Sequence, residues 1–343
     1  MVIQEIFKIA IQKNASDIHL VIDLPPILRI DGELTNITSE KLSKKDIETL
    51  AFSLLTVEQK KRFIDFKDLD FSYEYEDGSR FRINLYYEKG NVGMVARVIP
   101  NEIPTMEDIG MPQTIYELLN LKQGLILVTG PTGCGKSTTL AAMINYLNEN
   151  FHYNIVALED PIEYIFPPKK SIIAQRQLGT DMLSFNEGLK HALRQDPNVV
   201  MVGEMRDLET IATTITLAET GHLVLATLHT YSAAQTIDRI IDIFPPHQQN
   251  QVRMQLSITL AGVISQRLLP KVDGGRIAAR EILINTPAVG NIIRENKIAQ
   301  LKTVIETGSK EGMTTLNNDL LRLFKKGLVT KEAIKVQIRA LNF

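Results

Sequence analysis

The strongest constraint on the fold is a ten-residue stretch near the middle of the chain, Gly130-Pro-Thr-Gly-Cys-Gly-Lys-Ser-Thr-Thr139. It fits the phosphate-binding loop pattern of Gly, four residues, Gly, Lys and then Ser or Thr. An unbroken apolar run at 125–128 precedes it, as in a parallel strand that is buried on both faces. Residues 139–147 follow with apolar side chains at helical spacing. The sequence therefore predicts a strand, a glycine-rich turn and a helix in this order.

The residue types of this loop suit the phosphates of a nucleotide. Glycines let successive backbone N–H groups converge on phosphate oxygens, and the helix N-terminus adds partial positive charge. Lys136 is expected to reach the outer phosphates, and Ser137 to ligate Mg²⁺. The alternative is a glycine-rich turn that binds nothing, which the complete motif and its flanks disfavour. The predicted nucleotide-binding residues are Gly130, Pro131, Thr132, Gly133, Cys134, Gly135, Lys136, Ser137 and Thr138.

The composition and net charge argue against several classes of protein. The 343 residues carry a net charge of −2, with an isoelectric point near 6.3. Because nucleic-acid binding favours a basic surface, no nucleic-acid partner is expected. The single cysteine excludes an internal disulfide and a multi-cysteine zinc site. No apolar run approaches the ~20 residues of a membrane span, and residues 1–15 lack a signal-peptide pattern, so a cytoplasmic location without a direct membrane span is expected.

Residues 1–100 predict a small α+β domain. A helix, a strand, a turn and a second helix precede three segments in which apolar and polar residues alternate with period two. Asp77-Gly78 and Lys89-Gly90 separate these three segments, as in an antiparallel meander. The expected elements are a helix within 1–12, a strand over 15–22, a turn at Asp31-Gly32, a helix over roughly 44–55, and strands over 69–75, 80–87 and 92–99.

Residues 101–112 carry the prolines and the glycine of a predicted linker. From residue 113 strands alternate with helices, which is typical of a parallel sheet. From about residue 250 the chain is expected to be mainly helical, with one strand-like segment at 276–284. The predicted fold class is therefore α/β, with a smaller N-terminal α+β domain. The expected strands of the parallel sheet are 124–129, 154–158, 199–203 and 222–227.

Two of these predicted strands end in carboxylates. Glu159, Asp160 and Glu163 follow one strand, and Glu204 follows another in the Walker B arrangement. Ligands of open α/β sheets bind at the C-terminal ends of the strands, where carboxylates can hold Mg²⁺ or orient an attacking water. A solvated acidic turn remains the alternative for the first group. For Glu204 the alternative is a carboxylate at the N-terminus of the next helix.

A third strand is bounded by histidines, with His222 at its start and His229 at its outer end. A lone histidine is usually structural. Beside the γ-phosphate position, however, a histidine can report hydrolysis to a neighbouring subunit. His229 is the better candidate for this sensor, because His222 lies at the opposite end of the strand.

Together these motifs resemble the secretion-ATPase superfamily. The similarity covers nearly the whole chain and is strongest to the pilus retraction ATPases, through Met205 and the segments at 239–257 and 311–330. The four-cysteine zinc cluster typical of pilus-assembly ATPases is absent from the sequence. The motifs are EDPIEY at 159–164 (Asp box), GEMRD at 203–207 (Walker B), TGHLVLATLHT at 220–230 (His box) and ASDIHL at 15–20 (N-terminal signature).

The resemblance implies a hexameric motor that hydrolyses ATP with Mg²⁺ and powers pilus retraction. It implies a RecA-like ATPase core at 113–343, a PAS-like domain at 1–100 and rotation of the domains during turnover. Glu204 is expected to organise the catalytic water, and Glu163 to assist it or to position Mg²⁺; which of them is the base stays open. The expected Mg²⁺ ligands are Ser137, Glu204 and Glu163, partly through water. The implied partner is an inner-membrane pilus platform protein, which would hold the ring at the inner face of the membrane.

Arginines of the first domain are further candidates. Alternation along a strand places Arg80 and Arg82 on one face, and Arg97 lies on the next strand of the meander. The resemblance implies that arginines here, Arg82 and Arg97 among them, approach ATP between domains and subunits. A guanidinium near the γ-phosphate stabilises the charge that develops in the transition state. A solvated strand face is the alternative.

Two residues depart from the family pattern. Residues 288–295 read AVGNIIRE where the family usually has AIRNLIRE, so Gly290 replaces an arginine and leaves the direction of force open. Cys134 replaces a common serine, at a position where the loop acts through its backbone. We expect the cysteine to be tolerated, with the further hypothesis that nucleotide shields the thiol and that thiol modification blocks ATP binding.

The sequence leaves three other functions open. An assembly, secretion or DNA-uptake motor is the nearest, although Met205 and the missing zinc cysteines disfavour it. A nucleotide-gated regulatory module without motor activity is the second. A nucleic-acid translocase is the third, and the acidic isoelectric point disfavours it.

Overall fold

The computed structural model describes residues 2–30, 32–99 and 102–341. Asp31 of the predicted turn, and Pro100 and Asn101 where the first predicted domain meets the linker, lie outside the described residues. The rest forms two compact units. The first comprises the chain up to Glu102 together with Glu163–Ile165, and the second comprises Ile103–Ile162 and the chain from Phe166 onward.

The first unit is built on a six-stranded antiparallel sheet. Its strands are β1 (Asp17–Leu20), β2 (Ile27–Ile30), β3 (Glu33–Asn36), β4 (Asp68–Glu74), β5 (Arg80–Glu88) and β6 (Asn91–Ile99), and its helices are α1 (Ile3–Gln12), α2 (Lys44–Phe52) and α3 (Val57–Phe66). The spatial order is β3-β2-β1-β6-β5-β4. The predicted meander is confirmed as β4, β5 and β6. The predicted strand at 15–22 and the predicted helix at 44–55 both end earlier than expected.

Alternation along β5 separates the core of this unit from its polar face. Phe81, Ile83 and Leu85 are fully buried, whereas Arg80 and Arg82 are half-buried on the other face. In the core the ring of Phe7 from α1 stacks on Phe81, with centroids 4.1 Å apart. Burying an aromatic side chain of this size contributes about 2–3 kcal/mol. The period-two pattern of the sequence therefore fixes which face of the sheet carries the arginines.

The second unit is an α/β layer structure around a seven-stranded sheet, as the sequence predicts. The spatial order is β13-β12-β7-β11-β10-β8-β9, with every neighbouring pair parallel except β12 and β13. The strands are β7 (Gly124–Thr129), β8 (Asn154–Glu159), β9 (Ile172–Gln177), β10 (Val199–Val202), β11 (Leu223–Leu228), β12 (Leu260–Pro270) and β13 (Arg276–Ile284). The helices are α4 (Gln113–Leu119), α5 (Lys136–Asn150), α6 (Phe185–Ala192), α7 (Leu208–Glu219), α8 (Ala233–Asp242), α9 (Pro246–Thr259), α10 (Pro287–Arg294), α11 (Leu301–Thr307), α12 (Leu316–Lys325) and α13 (Lys331–Leu341).

The five strands predicted in this unit are confirmed to within one residue at either end, and two others were missed. Edge strand β9 has exposed and half-buried residues only, so its sequence lacks the apolar signal of a core strand. Strand β12 begins directly after the last residue of α9, without a glycine or proline to mark the boundary. Its first eight residues are all buried, and a continuous apolar run of this kind does not distinguish a strand from a buried helix.

None of the helices in the described ranges is both long enough and apolar enough to cross a lipid bilayer.

A buried arginine ties the start of the second unit to its sheet. Arg280 of β13 is 3% exposed, and its guanidinium donates to the carbonyl oxygens of Ile109 at 2.8 Å and Gly110 at 3.3 Å. Burial lowers the pKa of Arg280 to about 10, and the carboxylate of Asp319 partly offsets this. Asp319 itself accepts the backbone N–H of Arg280 at 2.8 Å and Nε of Arg322 at 2.6 Å.

Replacing Asp319 with alanine should destabilise the second unit. The change leaves the buried N–H of Arg280 without its acceptor and removes the nearest negative charge from a buried guanidinium. We expect a loss of about 2–4 kcal/mol in the free energy of unfolding, measured by urea denaturation. Glu311→Ala removes an exposed carboxylate nearby in the sequence and should change stability by less than about 0.5 kcal/mol. Equal effects of the two changes would contradict this account.

Candidate active site

Three parallel strands end at one edge of the second sheet. β7 ends at Thr129, β11 at Leu228 and β10 at Val202, and β11 lies between the other two. Because neighbouring parallel strands present their carboxyl ends on the same side, the residues that follow them come together there. These residues are the glycine-rich loop, His229 and Glu204.

The loop between β7 and α5 requires glycine at two positions for identifiable reasons. Gly135 precedes the first residue of α5 with a φ of +87°, a conformation that residues with a Cβ rarely adopt. At Gly130 the φ is +145°, and a Cβ would lie 2.4 Å from the backbone oxygen of Gln266 in β12. The nine predicted nucleotide-binding residues thus form one tight turn and the first helical turn of α5.

Lys136 begins α5 and turns its ammonium group back over the loop. Its Nζ donates to the carbonyl oxygens of Gly130 at 2.9 Å and Pro131 at 3.2 Å. Ser137 and Thr138 follow it, half-buried in the first turn. The lysine charge, the N-terminal end of the helix and the loop amides make this edge of the sheet suited to an anion.

His229 links Lys136 to Glu204. Its Nδ1 lies 3.3 Å from Nζ of Lys136, and its Nε2 lies 3.1 Å from Oε1 of Glu204. Because an ammonium group can only donate, Nδ1 accepts, and the neutral ring carries its proton on Nε2, which donates to the carboxylate. His222, at the start of β11, instead places Nδ1 3.0 Å from the carbonyl oxygen of Leu217. The structure thus separates the two histidines as the sequence predicts.

Arg206 extends this chain of contacts, and the sequence analysis missed it. Its Nη2 donates to Oε2 of Glu204 at 2.8 Å, and its Nη1 lies 3.7 Å from Oδ2 of Asp160. Burial opposes the negative charge of Glu204, but the hydrogen bond and charge of Arg206, together with His229, outweigh it and hold the pKa of Glu204 below its usual value. The sequence feature that could have identified Arg206 is its position two residues after Glu204, the Walker B glutamate.

The three carboxylates at and after the end of β8 have different surroundings. Glu159 is 7% exposed and accepts a hydrogen bond from Nε2 of Gln175 at 2.9 Å. Asp160 faces Arg206. Glu163 belongs with Tyr164 and Ile165 to the first unit. The structure therefore brings Glu204, His229, Lys136 and the loop together within the second unit, whereas Glu163, Arg82 and Arg97 belong to the first.

The arginines of the first unit form a cross-strand row with one carboxylate. Arg82 of β5 is the register partner of Arg97 in β6, and Arg97 is in turn opposite Asp17 in β1. Nε of Arg97 donates to Oδ1 of Asp17 at 2.9 Å, and Nε of Arg29 lies 3.8 Å from its Oδ2. Like charges directly opposite each other are destabilising, and Asp17 offsets this. Arg80 forms a separate ion pair with Glu74, at 3.6 Å.

A cavity of about 580 Å³ opens beside Glu204, Arg206 and His229. Two carboxylates of α8, Asp238 and Asp242, lie on its wall. Burial and the charge of Asp242 raise the pKa of Asp238. The cavity is polar and large enough for water beside the carboxylate of Glu204.

The thiol of Cys134 should react slowly in the folded chain. The residue is 3% exposed, and burial raises the pKa of the thiol, an effect that the charge of Lys136 only partly offsets. Since the thiolate is the reactive form, we expect iodoacetamide to label the folded chain at least about tenfold more slowly than the urea-unfolded chain at pH 7.5, with the rate rising toward alkaline pH. Mass spectrometry measures this directly, because the chain has one cysteine. Equal rates would contradict the burial of this side chain.

Comparison with known proteins agrees with this geometry. The profile of the family described as "Type II/IV secretion system protein" matches residues 1–311. The type IV pilus retraction ATPase PilT of Pseudomonas aeruginosa is 47% identical, with 97% of this chain and 96% of that protein covered. A twitching motility protein of Neisseria gonorrhoeae is 45% identical, with 90% of this chain and 83% of that protein covered.

A solved structure of the same kind extends the similarity to three dimensions. The crystal structure of the pilus retraction motor PilT with bound ADP superposes with a TM-score of 0.90 at 48% identity, covering 97% of this chain and 96% of that one. The fold and the match over nearly the whole chain lead to one conclusion: the chain belongs to the Type II/IV secretion system protein family, as an ATPase of the pilus-retraction type.

Proposed function

We propose that this chain binds and hydrolyses ATP at the carboxyl edge of its parallel sheet and uses the energy to retract a type IV pilus. The observation that carries the proposal is the continuous set of contacts from Lys136 through His229 and Glu204 to Arg206. It joins the loop lysine, which suits the outer phosphates, to the Walker B carboxylate, which suits the attacking water.

Lys136 would exchange partners when nucleotide binds. Among its hydrogen bonds are those to the neutral carbonyl oxygens of Gly130 and Pro131. A phosphate oxygen carries more negative charge and makes the stronger, charge-assisted hydrogen bond. The loop amides and the N-terminus of α5 would hold the remaining phosphate oxygens.

Glu204 is better suited to orienting water than to accepting its proton as a general base. A carboxylate whose pKa is held low by Arg206 and His229 is a weak base at neutral pH. In phosphoryl transfer the transition state is loose, so placing the nucleophile matters more than removing its proton early. The polar cavity beside Glu204 gives water access to this carboxylate. This reasoning favours Glu204 as the water-orienting residue and leaves Glu163 the assisting role.

His229 is suited to sensing the phosphate. Its Nδ1 accepts from the ammonium of Lys136, and its Nε2 donates to Glu204. If Lys136 moves toward a phosphate, Nδ1 loses its donor and the contact between His229 and Glu204 can rearrange. Binding or loss of the γ-phosphate would thereby alter the position of the Glu204 carboxylate, which orients the water.

Mg²⁺ fits the donors at this edge. The hydroxyl of Ser137 in the first turn of α5 and the carboxylate of Glu204 are oxygen ligands of the kind Mg²⁺ prefers, and the ion usually takes few protein ligands beside phosphates and water. In the described part of the chain, no three His, Cys, Asp or Glu residues cluster closely enough to hold a metal by themselves. Ser137 would bind the ion directly, with Glu204 and Glu163 acting through water. When bound, Mg²⁺ neutralises charge on the phosphates.

The first unit is proposed to supply arginines to a site completed by other copies of the chain. Arg82 and Arg97 carry the guanidinium groups that stabilise transition-state charge at a γ-phosphate. Asp17 holds Arg97 at 2.9 Å, so Arg82 is the freer cation of the pair for this role. We further propose a homohexamer that docks on a pilus platform protein of the inner membrane and works at its cytoplasmic face, without a nucleic-acid partner. The similarity to pilus retraction ATPases supports these assignments.

Glu204→Gln should abolish turnover while leaving nucleotide binding intact. The change keeps the size of the side chain but removes the negative charge that orients water, so we expect kcat to fall by about a hundredfold or more. Phosphate release measures kcat, and titration with a fluorescent ADP analogue measures binding. Glu209→Gln, on an exposed face of α7, is the matched control and should retain activity. Full turnover by Glu204→Gln would overturn the assignment, and no phosphate release from the unaltered protein would favour a regulatory module.

Cells that lack this protein should retain surface pili but lose pilus retraction. A plasmid copy of the gene should restore retraction, whereas a Lys136→Ala copy should not, because the loop then lacks its phosphate-binding cation. Fluorescently labelled pili in live cells provide the measurement, with the level of each variant checked by immunoblot. Loss of the pili themselves would instead favour an assembly motor, and ATPase activity stimulated by DNA would favour a nucleic-acid translocase.

A further inference from the structure

Strand β12 extends past the end of its neighbour β7 and runs beside the phosphate-binding loop. The register pairs Ile264 with Val128 and Ser265 with Thr129, which is the last residue of β7. β12 continues to Pro270. Gln266 is therefore the first residue of β12 that lies beside the loop rather than beside β7.

The side-chain amide of Gln266 connects the loop to the helix that follows it. The residue is 2% exposed. Its Nε2 donates to the carbonyl oxygen of Cys134 at 2.8 Å, and its Oε1 accepts from the hydroxyl of Thr139 at 2.9 Å. Because a carbonyl oxygen can only accept, the contact with Cys134 fixes the orientation of the amide, and the hydroxyl of Thr139 must donate. One side chain thus holds both the end of the loop and the first turn of α5.

Both terminal glycines of the loop also pack on this residue. A Cβ at Gly130 would lie 2.4 Å from the backbone oxygen of Gln266, and a Cβ at Gly135 would lie 3.4 Å from its Nε2. The loop therefore contacts Gln266 at its beginning and at its end.

The hydrogen bond to Cys134 determines where the next backbone N–H points. In a trans peptide the carbonyl of one residue and the N–H of the next point in opposite directions. Since the carbonyl of Cys134 points at Gln266, the N–H of Gly135 points away from β12. This peptide rotates about ψ of Cys134 and φ of Gly135, and Gly135, at a φ of +87°, resists the rotation little. Without Gln266 the direction of this N–H would be poorly determined.

We propose that Gln266 is a positioning residue of the nucleotide site, holding the N–H of Gly135 toward the phosphates without touching the nucleotide. The proposal rests on the nucleotide site proposed above. Backbone N–H groups that converge on phosphate oxygens are the basis of binding by such loops. The effect of Gln266 should appear in the affinity for ADP and ATP more than in kcat, because the water-orienting residues Glu204 and His229 do not contact it.

Gln266→Glu tests the proposal with little change of shape. The carboxylate can still accept from Thr139, but it places an oxygen opposite the carbonyl of Cys134 and removes the donor. We expect the Kd for ADP and the KM for ATP to rise about tenfold, the loss of one good buried hydrogen bond, while kcat changes less than about threefold. A fluorescent ADP analogue and a steady-state phosphate-release assay provide the two readouts on the full chain.

Ser265→Ala is the matched control. Ser265 is the preceding residue of β12, is 3% exposed, and shares a buried hydrogen bond of 2.8 Å with Thr129. This variant loses a comparable bond, so its melting temperature should fall as that of Gln266→Glu falls, but its Kd for ADP should stay within about twofold of the unaltered protein. If Ser265→Ala weakens ADP binding as much as Gln266→Glu does, the role of Gln266 is only structural.

Variants of Thr139 keep the proposal testable if Gln266→Glu does not fold. Thr139→Val removes the hydroxyl that holds Oε1 of Gln266 and should weaken ADP binding about threefold, whereas Thr139→Ser keeps the hydroxyl and should restore it. Unchanged ADP affinity in Thr139→Val and in any folded Gln266→Glu protein would overturn the proposal. By contrast, failure of the unaltered protein to bind ADP, or full ADP binding by Lys136→Ala, would overturn the nucleotide site itself.

Discussion

The candidate site depends on the parallel pairing of β7 with β11 on one side and β12 on the other. In this register Thr129, Leu228 and Ser265 lie at the same level, so the chain leaves β7 and β11 at one height while β12 runs on. The loop therefore turns beside a strand whose backbone and side chains are already fixed. A slip of one residue in either pairing would move Gln266 away from the loop or His229 away from Lys136, because neighbouring residues on a strand point to opposite faces. The strand register of the sheet therefore determines where the side chains of the site lie.

The charged side chains at the same edge of the sheet contact one another in a continuous series. Lys136 donates to carbonyl oxygens of the loop, Glu204 lies between His229 and Arg206, and Asp160 neutralises part of the remaining charge of Arg206. A phosphate would compete for Lys136 with the carbonyl oxygens of the loop, and its greater negative charge makes the stronger hydrogen bond. The motor proposal requires a site with this property.

Local sequence signals were sufficient to predict the loop, the meander and four strands of the parallel sheet. The loop motif is contiguous, and the buried strands β7, β10 and β11 read as apolar runs. What the sequence did not reveal depends on distant contacts. Gln266 is 132 residues from Cys134, and Arg97 is 80 residues from Asp17, so no periodic pattern connects either pair. β12 was missed because its apolar run continues directly from a helix, and with it the glutamine that supports the loop. Arg206 was within the quoted motif, but only the structure aims its guanidinium at Glu204.

Gly290, the departure from the family pattern, has a packing reason in this chain. The residue is buried in α10, and a Cβ there would lie 3.0 Å from the backbone oxygen of Ser257 in α9, so a larger side chain would require the two helices to separate slightly. The polar residues that follow it keep their own network on the exposed side, where Asn291 donates to Glu295 at 3.1 Å and accepts from Arg294 at 3.4 Å. Arg294 follows Gly290 by one helical turn, and its Nη1 would lie 3.9 Å from a Cβ at position 290. A role of this helix in force transmission would therefore depend on Asn291, Arg294 and Glu295 without a charge at the neighbouring position 290.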